Sequence, residues 1–169
     1  MSRSLRTWQN SCITRALEHF TVTPHFFCQA TPGAGKTRMA AELASRLLDQ
    51  DRIDLVLCFA PSCQVVEGFR STFAAVLGRR LDGQIGAVGA AYTYQAMEYR
   101  DEGFWQLLDD YRVLVVFDEI HHCAGHDPLL SNAWGQQILH RIQDRAAFTL
   151  ALSGTPWRSD DKAIALARY

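Results

Sequence analysis

Residues 28 to 47, CQATPGAGKTRMAAELASRL, run from an apolar, strand-like segment through a glycine-bearing turn straight into a helical pattern. This constrains the fold more than any other stretch. The helical part places Met39, Leu43 and Leu47 on one stripe, and a stripe of that kind must be buried against a neighbouring element. The same alternation continues along the chain. HFFCQA (25–30), IDLVLCFA (53–60), GAVGAAY (86–92), VLVVFD (113–118) and FTLALSG (148–154) read as strands, several too continuously apolar to face water on either side. CQVVEGFRSTFAAVL, DEGFWQLLDDY and SNAWGQQILHRIQD read as helices between them. Strand and helix in alternation predict an α/β fold with a mostly parallel central sheet and helices on both faces. In such sheets ligands bind at the carboxyl ends of the strands.

With 169 residues, 48% of them hydrophobic and 21% charged, the chain has the size and apolar content of one domain with a full core. No repeat or Pro/Gly/Ser-rich linker suggests a second domain. The longest apolar runs are strand-sized and the N-terminus MSRSLRTWQN lacks an apolar signal core, so no membrane span or leader is expected and the cytoplasm is the default location. Five Cys make an odd count, with Cys28 and Cys58 inside strand-like segments; reduced thiols rather than a disulfide framework are expected. A net charge of −1 leaves any nucleic-acid contact to a local patch.

The turn before Lys36 has the context that phosphate binding requires. Gly33 and Gly35 let backbone N–H groups close around phosphate oxygens, and the helix start adds unpaired donors and a positive dipole end. Lys36 can reach the β and γ phosphates, and Thr37 can give a hydroxyl to Mg2+. The general pattern G-x-x-x-x-G-K-[ST] would have its first Gly at residue 30, which here is Ala. Further on, VLVVFDEIHHCAGH (113–126) ends a strand in Asp118 and Glu119. Asp118 should emerge at the same sheet edge as the loop, and one carboxylate, one hydroxyl and substrate phosphates suit Mg2+. Glu119 is then free to orient or deprotonate a water. His121, His122, Cys123 and His126 offer zinc ligands, but no second ligand pair at zinc-site spacing occurs elsewhere. Mg2+ with a nucleotide is the expected occupant.

ATPGAGKT, FDEIHH and LSGTPWR, in that order, resemble motifs I, II and III of the superfamily 2 helicases, of DEAD/DEAH-like type, and within them the branch of the type III restriction enzyme helicase subunits. The resemblance spans nearly the whole chain. It implies an N-terminal RecA-like P-loop ATPase lobe, with Lys36, Asp118 and Glu119 catalytic and Thr31, Pro32, Gly33, Ala34, Gly35, Lys36, Thr37 and Arg38 around the phosphates of ATP. LRTWQ (5–9) looks like the adenine-recognising segment, which would assign Arg6 and Gln9 to the base. APSCQVVEGF (60–69) is similar to motif Ia, and TYQAM (93–97) to the short motif whose Thr and Gln lie near the nucleic-acid backbone. Ser62, Thr93, Gln95, Ser153 and Thr155 are the corresponding candidates for nucleic-acid contact or coupling, although Ser62 and Thr93 also stand where helix caps would. Trp105, beside Leu107 and Leu108, reads as core, and Arg70, Arg79 and Arg80 as a solvated face or a phosphate track.

The resemblance further implies a nucleic-acid-dependent ATPase that uses ATP and Mg2+ to translocate on or remodel nucleic acid, DNA in preference to RNA because of the restriction-type branch. Its second RecA-like lobe, which carries the arginine finger, is expected to be absent from residues 1–169, leaving the lobe weakly active alone. A nucleotide-binding module that regulates a partner without acting on nucleic acid is the alternative.

Overall fold

A computed structural model of the protein describes residues 6–29, 35–96, 102–118, 142 and 145–153. In chain order the elements are α1 (Thr7–His19), β1 (His25–Gln29), α2 (Lys36–Asp49), β2 (Leu55–Ala60), α3 (Cys63–Leu77), β3 (Gly89–Thr93), α4 (Glu102–Asp110), β4 (Val113–Asp118) and β5 (Phe148–Ser153). The five strands form one sheet in the order β1-β5-β4-β2-β3, and every pairing is parallel. This is the parallel α/β arrangement that the alternation of strand and helix predicts, and the RecA-like lobe that the resemblance implies.

Strand period explains the two cores. Successive side chains leave opposite faces of a sheet, so Val56, Cys58, Leu114 and Val116 meet α1, α2 and α3, packing with Ile13, Met39, Leu43, Leu47, Phe69 and Phe73. Leu57, Phe59, Val113, Val115 and Phe117 leave the other face and pack with Trp105 and Leu108 of α4 and with Ile142. All six residues of β4 are buried, which is why its sequence shows no alternation of polar and apolar positions. Met39, Leu43 and Leu47 are fully buried, as the helical stripe requires, and Trp105 is core.

Two strands start later than their apolar runs. β3 begins at Gly89 rather than at residue 86 because residues 82–87 turn, with Gly83 and Gly86 at positive φ and Val88 N–H donating to Arg80 O. β2 begins at Leu55 because Asp54 is held by Arg112, which donates to its carboxylate from the backbone N–H (2.9 Å), Nε (3.2 Å) and Nη2 (2.9 Å). Arg112 Nη2 also lies 2.9 Å from Asp51 Oδ1. This clasp joins the entries of β2 and β4 at the amino edge of the sheet. The helical pattern at residues 131–144 lies outside the described residues, Ile142 apart.

Two outcomes follow from this packing. A Cβ at Gly89 would fall on the Val56 carbonyl of the paired strand, so Gly89→Ala should lower unfolding stability by about 2 kcal/mol or more, measured by denaturant titration. Hydrogen bonds from Arg112 hold the Asp54 carboxyl at about 2, below its ordinary 3.8. A carboxyl held low in the folded state binds its proton more readily in the unfolded one. Its contribution is therefore complete above the ordinary value and disappears as pH falls through about 2. Arg112→Gln should flatten the pH dependence of stability in that window.

Candidate functional site

The carboxyl ends of β1, β5 and β4 lie side by side, with Gln29 opposite Ser153 and Leu152 opposite Asp118. From this edge β1 leads into the loop, and α2 starts at Lys36 after an N-cap at Gly35. Gly35 has φ 85 and ψ 29, a left-handed conformation that side chains with a Cβ adopt at a cost. Its carbonyl accepts two hydrogen bonds, from Met39 N–H at 3.0 Å and from Gln9 Nε2 at 2.9 Å. Space is as limiting as conformation there, since a Cβ on Gly35 would stand 2.6 Å from Gln9 Nε2.

Gln9 is therefore more than a surface residue at a helix start. It is buried, and its Oε1 accepts from the Arg6 backbone N–H at 2.7 Å while its amide nitrogen serves Gly35. One side chain caps α1 and ties it to the start of α2. Arg6 itself is exposed.

Lys36 and Asp118 meet at the centre of the edge, with Nζ 3.0 Å from Oδ1 and side-chain exposures of 14% and 4%. A buried carboxylate left alone would cost several kcal/mol, and the ammonium offsets that cost. The backbone of Asp118 is held as well, because the Tyr94 hydroxyl donates to its carbonyl oxygen at 2.7 Å within the core. Tyr94 stacks on Phe59, which in turn stacks on Phe117. The aromatic row crosses β2 and links the end of β3 to the end of β4. Tyr94 was not among the sequence candidates. Its signal was its place between Thr93 and Gln95, an aromatic directly after a strand end.

The remaining candidates separate into groups. Thr37 is half-buried on the first turn of α2, and Arg38 pairs with Glu42 one turn along at 3.6 Å. Ser62 caps α3, accepting from Val65 N–H at 3.3 Å, and Thr93 Oγ1 accepts from Ala96 N–H at 3.3 Å. Gln95 is exposed. Arg70 is engaged by Glu67 and the Ala91 carbonyl, and Arg80 by Asp82 and the Ile85 carbonyl, while Arg79 is exposed. Ser153 ends β5. Thr31, Pro32, Gly33, Ala34, Glu119, Thr155, and the cluster His121, His122, Cys123 and His126 lie outside the described residues.

The donors at the start of α2 and the end of β4 include two oxygen groups. Asp118 offers a carboxylate and Thr37 a hydroxyl, a set suited to Mg2+, which takes oxygen ligands and keeps much of its water. Among the described residues no group of three His, Cys, Asp or Glu gathers as a metal site. Cys58, next to this edge, is an inert thiol: burial, with Asp118 adding to it, pushes its pKa well up.

A parallel sheet in this order, with a glycine turn leading into a lysine-bearing helix and an acid at the end of the central strand, defines a helicase-type RecA-like ATPase domain. The chain belongs to the family described as type III restriction enzyme, res subunit, whose sequence model matches residues 2–158. It is similar to a protein of Mycobacterium leprae (33% identity over 99% of this chain) and to one of Mycobacterium tuberculosis (32% over 98%). It spans 28% and 27% of their respective lengths. Among solved structures it is similar to the SWI2/SNF2 ATPase core of Sulfolobus solfataricus in complex with dsDNA, with TM-score 0.75, 16% identity, and 97% of this chain and 35% of that one covered. The Pyrococcus furiosus Hef helicase domain gives TM-score 0.69 at 22% identity, covering 96% and 35%. The UvsW helicase of bacteriophage T4 gives 0.65 at 15%, covering 89% and 52%. At these identities the structural likenesses establish the fold. No helix among the described residues is long and apolar enough to cross a membrane.

The contact at Gly35 gives a sharp test. Gly35→Ala should destabilise the chain by about 1–2 kcal/mol from the left-handed backbone alone, and by more while Gln9 occupies the adjoining space. In a Gln9→Ala background the same change should cost less, which a double-mutant cycle of denaturant unfolding would measure.

Proposed function

We propose that this chain is the ATP-binding lobe of a nucleic-acid-dependent ATPase that hydrolyses ATP to ADP and phosphate with Mg2+. The observation that carries the reading is the Lys36–Asp118 pair, 3.0 Å apart, at the carboxyl edge of the sheet where α2 starts after Gly35. In the nucleotide complex, Lys36 turns to the β and γ phosphates while backbone N–H groups of residues 31–35 surround them. Thr37 and Asp118 hold Mg2+, which when bound neutralises charge on the phosphates. Glu119, following Asp118 directly, positions the attacking water, and its proton leaves towards that carboxylate. Arg6 and Gln9 serve the adenine, the Gln9 amide being already fixed beside Gly35.

Ser62, Thr93 and Gln95 lie at or just beyond the carboxyl ends of β2 and β3, and Ser153 at that of β5. Together with Thr155 they form the face proposed for nucleic acid. DNA is preferred, because a SWI2/SNF2 ATPase core of the same fold is bound to dsDNA and a type ISP restriction-modification enzyme, LlaGI, to a DNA substrate mimic. The second RecA-like lobe is assigned to a longer protein of which this chain is one part, in keeping with its coverage of 28% of the Mycobacterium leprae relative. An arginine finger contributes about 10³ to 10⁵ in rate to phosphoryl transfer, so the lobe alone should turn over slowly.

Calorimetric titration with ADP and a non-hydrolysable ATP analogue, with and without Mg2+, tests the site. Lys36→Ala should weaken analogue binding at least about tenfold, or about 1.4 kcal/mol, and Asp118→Asn should abolish the Mg2+ dependence. A folded wild-type chain that binds neither nucleotide would count against the reading.

A further inference from the structure

Cys12 on α1 and Cys28 on β1 face each other with their sulfurs 2.8 Å apart. Bond formation requires an approach of roughly 0.8 Å more, to about 2.05 Å. The helix carrying Cys12 is seated on the core at this point, where Ile13 and Ala16 are fully buried. Access is asymmetric: Cys12 is half-buried, whereas Cys28 is 5% exposed. Only Cys12 is placed to meet a reagent from solvent, and only Cys28 is placed to attack what forms there.

We propose that Cys12 and Cys28 are a reversible dithiol–disulfide pair that pins α1 to β1. The oxidant is a small-molecule disulfide. The Cys12 thiolate attacks one of its sulfurs, forming a mixed disulfide and expelling the first small thiolate, which takes up a proton. The Cys28 thiol gives up its proton to water and its sulfur attacks the Cys12 sulfur, forming the protein disulfide and expelling the second small thiolate, which takes up a proton from water. Two protein thiols are oxidised and one small disulfide is reduced to two thiols. The thiol chemistry agrees with Cys12 as the first attacker: the Cys28 hydrogen bond, and then Arg15, lower its pKa, while the same bond and burial keep Cys28 protonated, and the bond's share lapses once the Cys12 sulfur is in a mixed disulfide. Gln9 lies three residues before Cys12 on the same helix and holds the Gly35 carbonyl, so the pinned helix also keeps its grip on the start of α2. This does not depend on nucleotide binding.

The test is incubation of the full chain with glutathione disulfide, followed by thiol blocking, digestion and mass spectrometry. A peptide pair joined through Cys12 and Cys28, two hydrogens lighter than the reduced pair and released by a dithiol reductant, is expected. In Cys12→Ser, Cys28 should remain an unmodified thiol, while exposed Cys63 takes up glutathione in every form. Amide exchange over residues 7–19 should slow at least several-fold on oxidation of the wild type and stay unchanged in Cys28→Ser. Cys12 and Cys28 that remain thiols, or that each carry glutathione separately, would overturn the pair. A linked pair with unchanged exchange would overturn the pinning.

Discussion

Asp118 ends a strand on which every residue is buried, and a carboxylate in that position must either find a cation or lose its charge. Lys36 answers this demand from the start of α2, the helix that follows β1, a strand separated from β4 in the sheet by β5. The ion pair therefore ties the end of the central strand to the start of α2. In the function proposed above, Lys36 would exchange this partner for phosphate and Asp118 for a cation.

The surroundings restrict how that edge can move. Gln9 spends both ends of its amide, one on its own helix and one on Gly35. Tyr94, just beyond β3, holds the Asp118 carbonyl directly and stacks on Phe59 of β2, which stacks on Phe117 of β4. Thr93 ends β3 and Gln95 follows two residues on, so the segment proposed to contact nucleic acid is linked to Asp118 through Tyr94. Buried hydrogen bonds of this kind are costly to break, since either partner is then left without water or protein to replace it.

Much of the fold was legible in the chain because parallel strands buried on both faces are written as unbroken apolar runs. VLVVFD and FTLALSG became β4 and β5 with ends within a residue of expectation. CQVVEGFRSTFAAVL became α3 over the same residues. What escaped was set by contacts between distant segments. The late start of β2 comes from Arg112, more than fifty residues away, and the late start of β3 comes from a turn that glycines permit but do not announce. Arg6 and Gln9 read alike in sequence, yet one is exposed and the other buried against Gly35. Ser62 and Thr93 do form local caps, as their positions suggested.

The sequence by itself determined the order of elements, the glycine turn with Lys36 and Thr37 at a helix start, and a carboxylate at a strand end, because each is set by local spacing and strand or helix period. Only the tertiary structure decided that Lys36 would neutralise Asp118, that Gln9 would serve Gly35, that Tyr94 would hold the Asp118 peptide and that Cys12 would meet Cys28. Those pairings depend on which strands lie side by side and which helix covers them. That choice is made by the burial of whole faces, not by any residue's immediate neighbours.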